Sequence, residues 1–333
     1  MKDPIPFGKY LLQERVDVGG MAEVFVAGGP DGRRCAVKRL LPGLSEDPEL
    51  LAMFLDEARL TARLAHPGIV EVRDLGRVGE SWYIAMEYVP GADLAALLAR
   101  LRPLGRPLPV AVSAWVAREV ARALDFAHRS RDAVGTLRGV VHGDVSPQNV
   151  LVSFGGQVKL IDFGLARRAA AAAPAGAVGS AAGAGALPPG PARVPERVPL
   201  RGKIGYMSPE QAEGRNPDRR SDVFALGAVL HEMLAGERLF RGESELAVLE
   251  RIRSGPVAPP SQANAEVPPE LDRAVLRALA HDPKARFAWA SELADALGPV
   301  ADPNGAVALS EVVRAVLPEE WERERSAPGG SGA

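Results

Sequence analysis

A chain of 333 residues with 47% apolar and 25% charged residues is long enough for one large domain or two linked lobes, and its composition is globular rather than disordered. The formal net charge of −2, with both signs well mixed, excludes the electrostatic footprint of a nucleic-acid or anionic-lipid binder. Cys35 is the only cysteine, which rules out an intramolecular disulfide and a cysteine-based metal site and fits a reducing cytoplasm. The segment Met1–Tyr10 is polar and contains two prolines, unlike a secretory signal. The apolar run Ala169–Ala192 is mostly Ala, Gly and Pro, too weakly hydrophobic and too often broken to span a bilayer. The expectation is a soluble, cytoplasmic protein with no nucleic-acid partner and no membrane insertion; its oligomeric state is unspecified.

In chain order, Tyr10–Leu12, Val24–Ala27 and Arg34–Lys38 read as strands separated by Gly-rich turns at Gly19-Gly20 and Gly28–Gly32. The period changes over 48–65, where Leu51, Phe54, Leu55, Ala58 and Ala62 share one helical face. Strand candidates follow near Val70–Leu75 and Trp82–Val89, giving a small mixed lobe of about five strands and one helix. From Asp93 onward the pattern is helical: Leu94–Leu101, Val110–Ser130, Asp222–Ala235, Glu243–Arg253, Pro269–Leu279 and Ala288–Leu297. A short hairpin is expected within Val140–Leu160. The stretch 167–198 has no periodicity and reads as disordered or loosely attached. Ala308–Val316 reads as an amphipathic, packed extension before a charged stretch and a Gly/Ser tail. Cys35 reads as a small core residue on its strand.

The chemistry concentrates between residues 142 and 164. The chain reads His142-Gly143-Asp144-Val145-Ser146-Pro147-Gln148-Asn149, then Val158-Lys159-Leu160-Ile161-Asp162-Phe163-Gly164. An Asp and an Asn five apart on a loop, with a second Asp ending the next strand, supply hard oxygen ligands for magnesium and a carboxylate placed to accept a nucleophile's proton. Either Asp alone would as readily cap a turn; the set of three points to phosphoryl transfer.

These motifs resemble the protein kinase superfamily, in its bacterial Hanks-type serine/threonine branch, and the resemblance covers nearly all of residues 8–298. It implies an α+β, bilobal protein-kinase-like fold: a small mixed β-sheet lobe with one helix (8–89) and a larger, mainly helical lobe (90–298) carrying the 167–198 insert. A tail (1–7) and a C-terminal extension with a short helix and disordered end (299–333) flank them. By the same resemblance Asp144 is the catalytic base, Asn149 and Asp162 are Mg2+ ligands, and Phe163-Gly164 is a switchable hinge. Lys38, in Ala36-Val37-Lys38, grips the α- and β-phosphates of ATP, and Glu57 pairs with it. Met86-Glu87-Tyr88-Val89 resembles the gatekeeper and hinge against adenine, and Asp93 falls where ribose is held. Val16, Gly19 and Gly20 belong to the phosphate loop, while Val24, Ala36 and Leu151 sandwich the base. Met207-Ser208-Pro209-Glu210, Asp222 and Arg286 match supporting positions that small-molecule kinases lack. The implied partners are protein substrates, with ATP and Mg2+ as cofactors.

Three departures stand out. Asp17-Val18-Gly19-Gly20-Met21-Ala22 replaces Gly-x-Gly-x-x-Gly, putting an acidic side chain near a triphosphate, which predicts weakened binding. Gly143 replaces the arginine that collects an activation-loop phosphate, and Ser180 is the only hydroxyl residue between Gly164 and Gly202, so conventional loop phosphorylation is not expected. Ser146 stands where the family has Lys, while Lys203, in Gly202-Lys203-Ile204-Gly205-Tyr206, stands where it has Thr. The two side chains exchange places, and the expectation is that Lys203 reaches Asp144 while Ser146 takes over the hydroxyl's hydrogen bond. The rival readings are a pseudokinase, favoured by Asp17 and Ser146, and a small-molecule phosphotransferase, in which His-Gly-Asp is usual.

Overall fold

The computed structural model describes residues 3–131, 135, 139–163, 167–168 and 203–327. The first lobe is a six-stranded sheet in the order β1-β2-β3-β4-β6-β5, formed by β1 (Ile5–Phe7), β2 (Tyr10–Val18), β3 (Ala22–Gly28), β4 (Arg34–Leu40), β5 (Val72–Val78) and β6 (Ser81–Glu87). Every neighbouring pair is antiparallel. The sheet has one strand more than the roughly five expected, and it is antiparallel throughout rather than mixed. Hairpins join β1 through β4, and the helix α1 (Pro48–Thr61) carries the chain to the far edge strand β5.

The sixth strand lies in the segment expected to be a tail. Ile5 pairs with Leu12 and Phe7 with Tyr10, and Phe7 is buried edge-on against Tyr83 at 5.6 Å. Pro6 is tolerated because β1 is the sheet's outer strand.

In β4, Cys35 and Val37 point into the lobe's core, as expected for Cys35, and Arg34, Ala36 and Lys38 take the opposite face. α1 starts where Asp47 accepts hydrogen bonds from the N–H groups of Glu49 and Leu50, with Pro48 at the first helical position. Its Phe54 and Ala58 bury against Leu40 and Ile84.

The second lobe begins with β7 (Gly91–Asp93), α2 (Leu94–Leu101) and α3 (Val110–His128). β8 (Val140–Val141), β9 (Val150–Ser153) and β10 (Val158–Leu160) follow; β9 and β10 make a hairpin that pairs with β7. The expected hairpin is thus confined to 150–160, because β8 pairs instead with β11 (Arg167–Arg168). That pairing also removes two residues from the stretch expected to be unstructured; 169–198, together with Gly164 and Gly202, lies outside the described residues.

α4 (Pro209–Ala212), α5 (Arg219–Ala235), α6 (Glu245–Ser254), α7 (Pro269–Ala278) and α8 (Ala290–Leu297) complete the lobe. Ser221 through Leu234 of α5 are all buried, which makes this the central helix around which α3, α7 and α8 pack. Among the described residues no helix is long and apolar enough to cross a membrane.

The C-terminal extension holds two helices rather than one, α9 (Gly305–Val316) and α10 (Pro318–Ser326). In α10 the only apolar residue between Pro318 and Ser326 is Trp321, too little for a periodicity signal. The helix signal is one of ends: proline at the first position, Glu319 and Glu320 in the first turn, Arg323 and Arg325 in the last.

Candidate active site

The cleft between the lobes is built from residues that were widely separated in the sequence. β4 carries Lys38, whose Nζ donates to Glu57 Oε1 on α1 at 2.7 Å and to Asp162 Oδ1 after β10. Burial opposes the Lys38 charge, but Asp162 and Glu57 outweigh it and hold the ammonium above its ordinary range. Burial would raise Asp162 too; Lys38 beside it instead holds the carboxyl well below the usual carboxylate range. Glu57, buried and facing Asp162, is pushed up to about 8 despite the pull of Lys38. One cation thus organises two carboxyl groups.

Asp162 has φ 66°, the only positive value at a non-glycine position among the described residues. A left-handed aspartate costs about 1–3 kcal/mol, held here by the Lys38 contact and by Phe163, which is fully buried against the His142 ring at 4.6 Å. His142 fixes the geometry from the other side. Its Nδ1 accepts from the Asp144 N–H at 3.2 Å, so the ring proton is on Nε2, which donates to the Ile161 carbonyl at 3.0 Å.

The backbone of the catalytic loop hangs on buried Asp222, which accepts from the N–H groups of His142 at 2.9 Å and Gly143 at 2.8 Å and pairs with His128 Nε2 at 2.7 Å. Gly143 has φ 76°, a conformation that glycine adopts without the Cβ penalty an arginine there would bear. Asn149 Nδ2 donates to the Asp144 carbonyl at 2.7 Å and to Asp144 Oδ2 at 2.9 Å. Lys203 Nζ donates to the same Oδ2 at 2.6 Å and approaches Asn149 Oδ1 at 3.4 Å. Asp144 is thereby held through one carboxylate oxygen, and Oδ1 accepts no hydrogen bond among the described residues.

Lys203 reaches Asp144, as the exchange of side chains requires. The other half of that expectation is corrected: Ser146 Oγ is buried and makes no hydrogen bond among the described residues. The serine side chain is too short to leave its own pocket, so its hydroxyl does not replace the threonine's.

The Ile161 N–H donates to the Asn149 carbonyl at 3.0 Å, which brings Asn149 and Asp162 side by side. An amide oxygen and a carboxylate oxygen are the hard, sparse donor set that suits magnesium, which keeps most of its coordination for water and phosphate. These residues fit that ion.

On the sheet's side of the cleft, Val24 pairs with Lys38 and Val26 with Ala36, so Val24 and Ala36 share the cleft face of the sheet. Leu151 pairs with Asp93 on the opposing small sheet. Met86, Glu87 and Val89 run between the lobes, partly buried. The Glu87 side chain turns away to accept from Lys159 Nζ at 2.5 Å. Asp93 Oδ1 accepts from the Ala96 N–H at 2.8 Å and so caps α2, while burial raises its carboxyl above the ordinary value. Gly19 closes the tight turn after β2, its N–H donating to the Ala22 carbonyl at 2.8 Å, with Gly20 inside that turn. Asp17 Oδ1 accepts from the Val18 N–H at 2.8 Å, which keeps the anomalous acid engaged with its own turn. Val16 is more than half exposed.

Glu210 and Arg286 form a fully buried bidentate pair at 2.8 Å for both contacts. Sequence reasoning missed Gln211, whose Nε2 donates to the Gly143 carbonyl at 2.9 Å and ties α4 to the catalytic loop. It also missed Lys159. Lys159 is buried on β10, opposite Leu151 of β9.

A family model described as protein kinase domain matches residues 10–296. Among curated relatives, the chain is 38% identical over 96% of its length to the tyrosine-protein kinase MasK of Myxococcus xanthus, covering 48% of that protein. It is 35% identical over 86% of its length to the serine/threonine-protein kinase PknB of Mycobacterium tuberculosis, covering 42% of it. The chain therefore spans less than half the length of these relatives. Among solved structures, the PknI kinase domain of Mycobacterium tuberculosis aligns with a TM-score of 0.62 at 28% identity, covering 90% of this chain and 99% of that one. The chain belongs to the protein kinase family.

Proposed function

We propose that the protein transfers the γ-phosphate of Mg·ATP to serine or threonine hydroxyls of protein substrates in bacterial signalling. The observation that carries this reading is the joint placement of Lys38, Glu57 and Asp162 at one end of the cleft and Asp144, Asn149 and Lys203 at the other. In this reading Lys38 holds the α- and β-phosphates, with Glu57 steadying it. Asn149 and Asp162 would hold a divalent ion, which would supply neutralisation of the charge on the transferred phosphoryl group. Asp144 Oδ1 accepts the proton of the attacking hydroxyl, and the phosphoryl group passes to that oxygen as the bond to ADP breaks. Lys203 supplies the cation that the Ser146 position lacks.

The PknB-named relative supports serine/threonine acceptors, and the MasK name makes tyrosine the competing acceptor. The test is radiolabelled ATP with a generic protein acceptor, with and without Mg2+, followed by phosphoamino-acid analysis. Magnesium-dependent label on serine and threonine is expected. Label on tyrosine alone would overturn the acceptor class, and nucleotide binding without transfer would install the pseudokinase reading.

A further inference from the structure

The C-terminal extension does more than cover the helical lobe. α9 is anchored there: Ser310 Oγ donates to the Phe154 carbonyl at 2.7 Å, and Arg314 Nε donates to the same oxygen at 2.9 Å. α10 then folds back so that Trp321 lies on Phe154 at 5.2 Å between centroids, and Glu320 accepts from Arg100 of α2 at 3.0 Å. Its last turn leaves the lobe. Glu324 Oε2 accepts from the Tyr88 hydroxyl at 3.0 Å and from Arg34 Nη1 at 2.9 Å, and Oε1 accepts from Arg34 Nη2. The Arg34 guanidinium sits 4.6 Å over the Tyr88 ring. Tyr88 belongs to the segment between the lobes, and Arg34 is the first residue of β4 in the other lobe.

This contact differs in kind from the other ion pairs of the helix surfaces. Arg59–Asp56 is 62% and 69% exposed, a geometry worth little, whereas Arg34 and Glu324 are 16% and 10% exposed and joined by two parallel hydrogen bonds. β4 is one rigid strand, and Arg34, Ala36 and Lys38 lie on the same face of it. A tether on Arg34 therefore constrains where Lys38 stands relative to Asp162, which belongs to the other lobe.

We propose that α10 is an interlobe strap in which Glu324, by holding Arg34 and Tyr88, positions β4 and Lys38 over the catalytic loop. Glu324 is a positioning residue that never touches substrate. The strap rests on reading the cleft as a nucleotide site, and its test is chosen to fail separately.

Using the full chain, Glu324→Ala, Arg34→Ala, the double variant and the exchange Arg34→Glu with Glu324→Arg are compared with Glu322→Ala, an exposed control on the same helix. Each single change should weaken binding of a fluorescent ATP analogue with Mg2+ by about five- to thirtyfold and speed amide exchange across residues 86–90, with little change in unfolding temperature. The double variant should be no worse than either single, and the exchange should recover much of the loss. Additive effects overturn the strap, as do variants that bind nucleotide like the parent. If the parent itself binds no nucleotide, the proposed function falls and hinge exchange decides the strap alone. Faster exchange in Glu324→Ala than in Glu322→Ala supports it, and equal exchange overturns it.

Discussion

Two buried ion pairs in this molecule use the same chemistry and have different freedom. Arg286 spends all its donors within one lobe: besides Glu210 it donates to the carbonyls of Arg220 at 3.0 Å, His281 at 3.0 Å and Ala280 at 2.7 Å. Glu210 in turn accepts from Ser221 Oγ at 2.5 Å. Every partner belongs to the same packed body, so opening the pair would strand a charge with no replacement. Lys38 instead has two carboxylate partners from separate bodies, α1 and the loop after β10, and no backbone carbonyl among the described residues. Its contacts are as good as the positions of those bodies allow. A saturated pair fixes a fold, and an unsaturated pair spanning two lobes reports their alignment.

The comparison breaks first at the cleft. Lys38→Met or Asp162→Asn should lower phosphoryl transfer on the order of a thousandfold or more while thermal unfolding stays near the parent's. Substantial residual transfer by Asp162→Asn would remove it from the metal site. The converse holds for Arg286→Met, which should cost about 3–5 kcal/mol in denaturant unfolding because it leaves Glu210 buried and unpaired. A parent-like midpoint would show that the pair is dispensable to the fold.

Lys203→Ala should reduce turnover by about ten- to a hundredfold, the worth of one charge-assisted contact of roughly 1.5–3 kcal/mol. The double change Ser146→Lys with Lys203→Thr should recover much of it. Equal turnover in Lys203→Ala and the parent would make the exchanged side chains a coincidence.

A finer distinction lies in pH. Burial would raise the Glu210 carboxyl, but hydrogen bonds from Arg286 and Ser221 hold it below its ordinary value of 4.5. Its folded pKa is depressed, so the stability it contributes is full above the unfolded value and is lost as pH falls below it. The stability gap between the parent and Glu210→Gln should therefore narrow as pH falls below the ordinary value of 4.5 toward the depressed folded value. A gap that widens on acidification would contradict the assignment. The smallest effect belongs to 169–198, rich in Ala, Gly and Pro and without Thr or Tyr. Its deletion should change the transfer rate by less than about tenfold, because it offers little apolar surface to bury; a collapse of rate would give it a catalytic role.

What was legible in the sequence was local and chemically dense. Asp144, Asn149 and Asp162 fall within 19 residues, and their spacing alone specifies a loop and the strand end beside it. Lys203 was legible because its substitution mirrors another one. Ser146 was half legible: its identity showed the exchange, but only packing decides whether a short hydroxyl reaches a partner. β1 was hidden because two prolines obscure three residues whose pairing is set by Phe7 meeting Tyr83. The Arg34–Glu324 contact joins residues 290 apart, one on a core strand and one on a charged surface helix, and no local periodicity encodes such a meeting.

The seat of α9 has a consequence for how the protein is made. Leu309 and Val313 are as deeply buried as any residue of α3 or α5, and with Leu317 after the helix they belong to the same continuous core. The β9–β10 turn is so close beneath them that Gly156 has no room for a Cβ against the Ala306 carbonyl. During synthesis the helical lobe emerges with this groove open, and it closes only when residues past 317 have left the ribosome. A nascent chain paused at the end of α8 would expose an apolar trough to chaperones, and one released there would be prone to aggregate, although residues 10–296 include every group of the cleft.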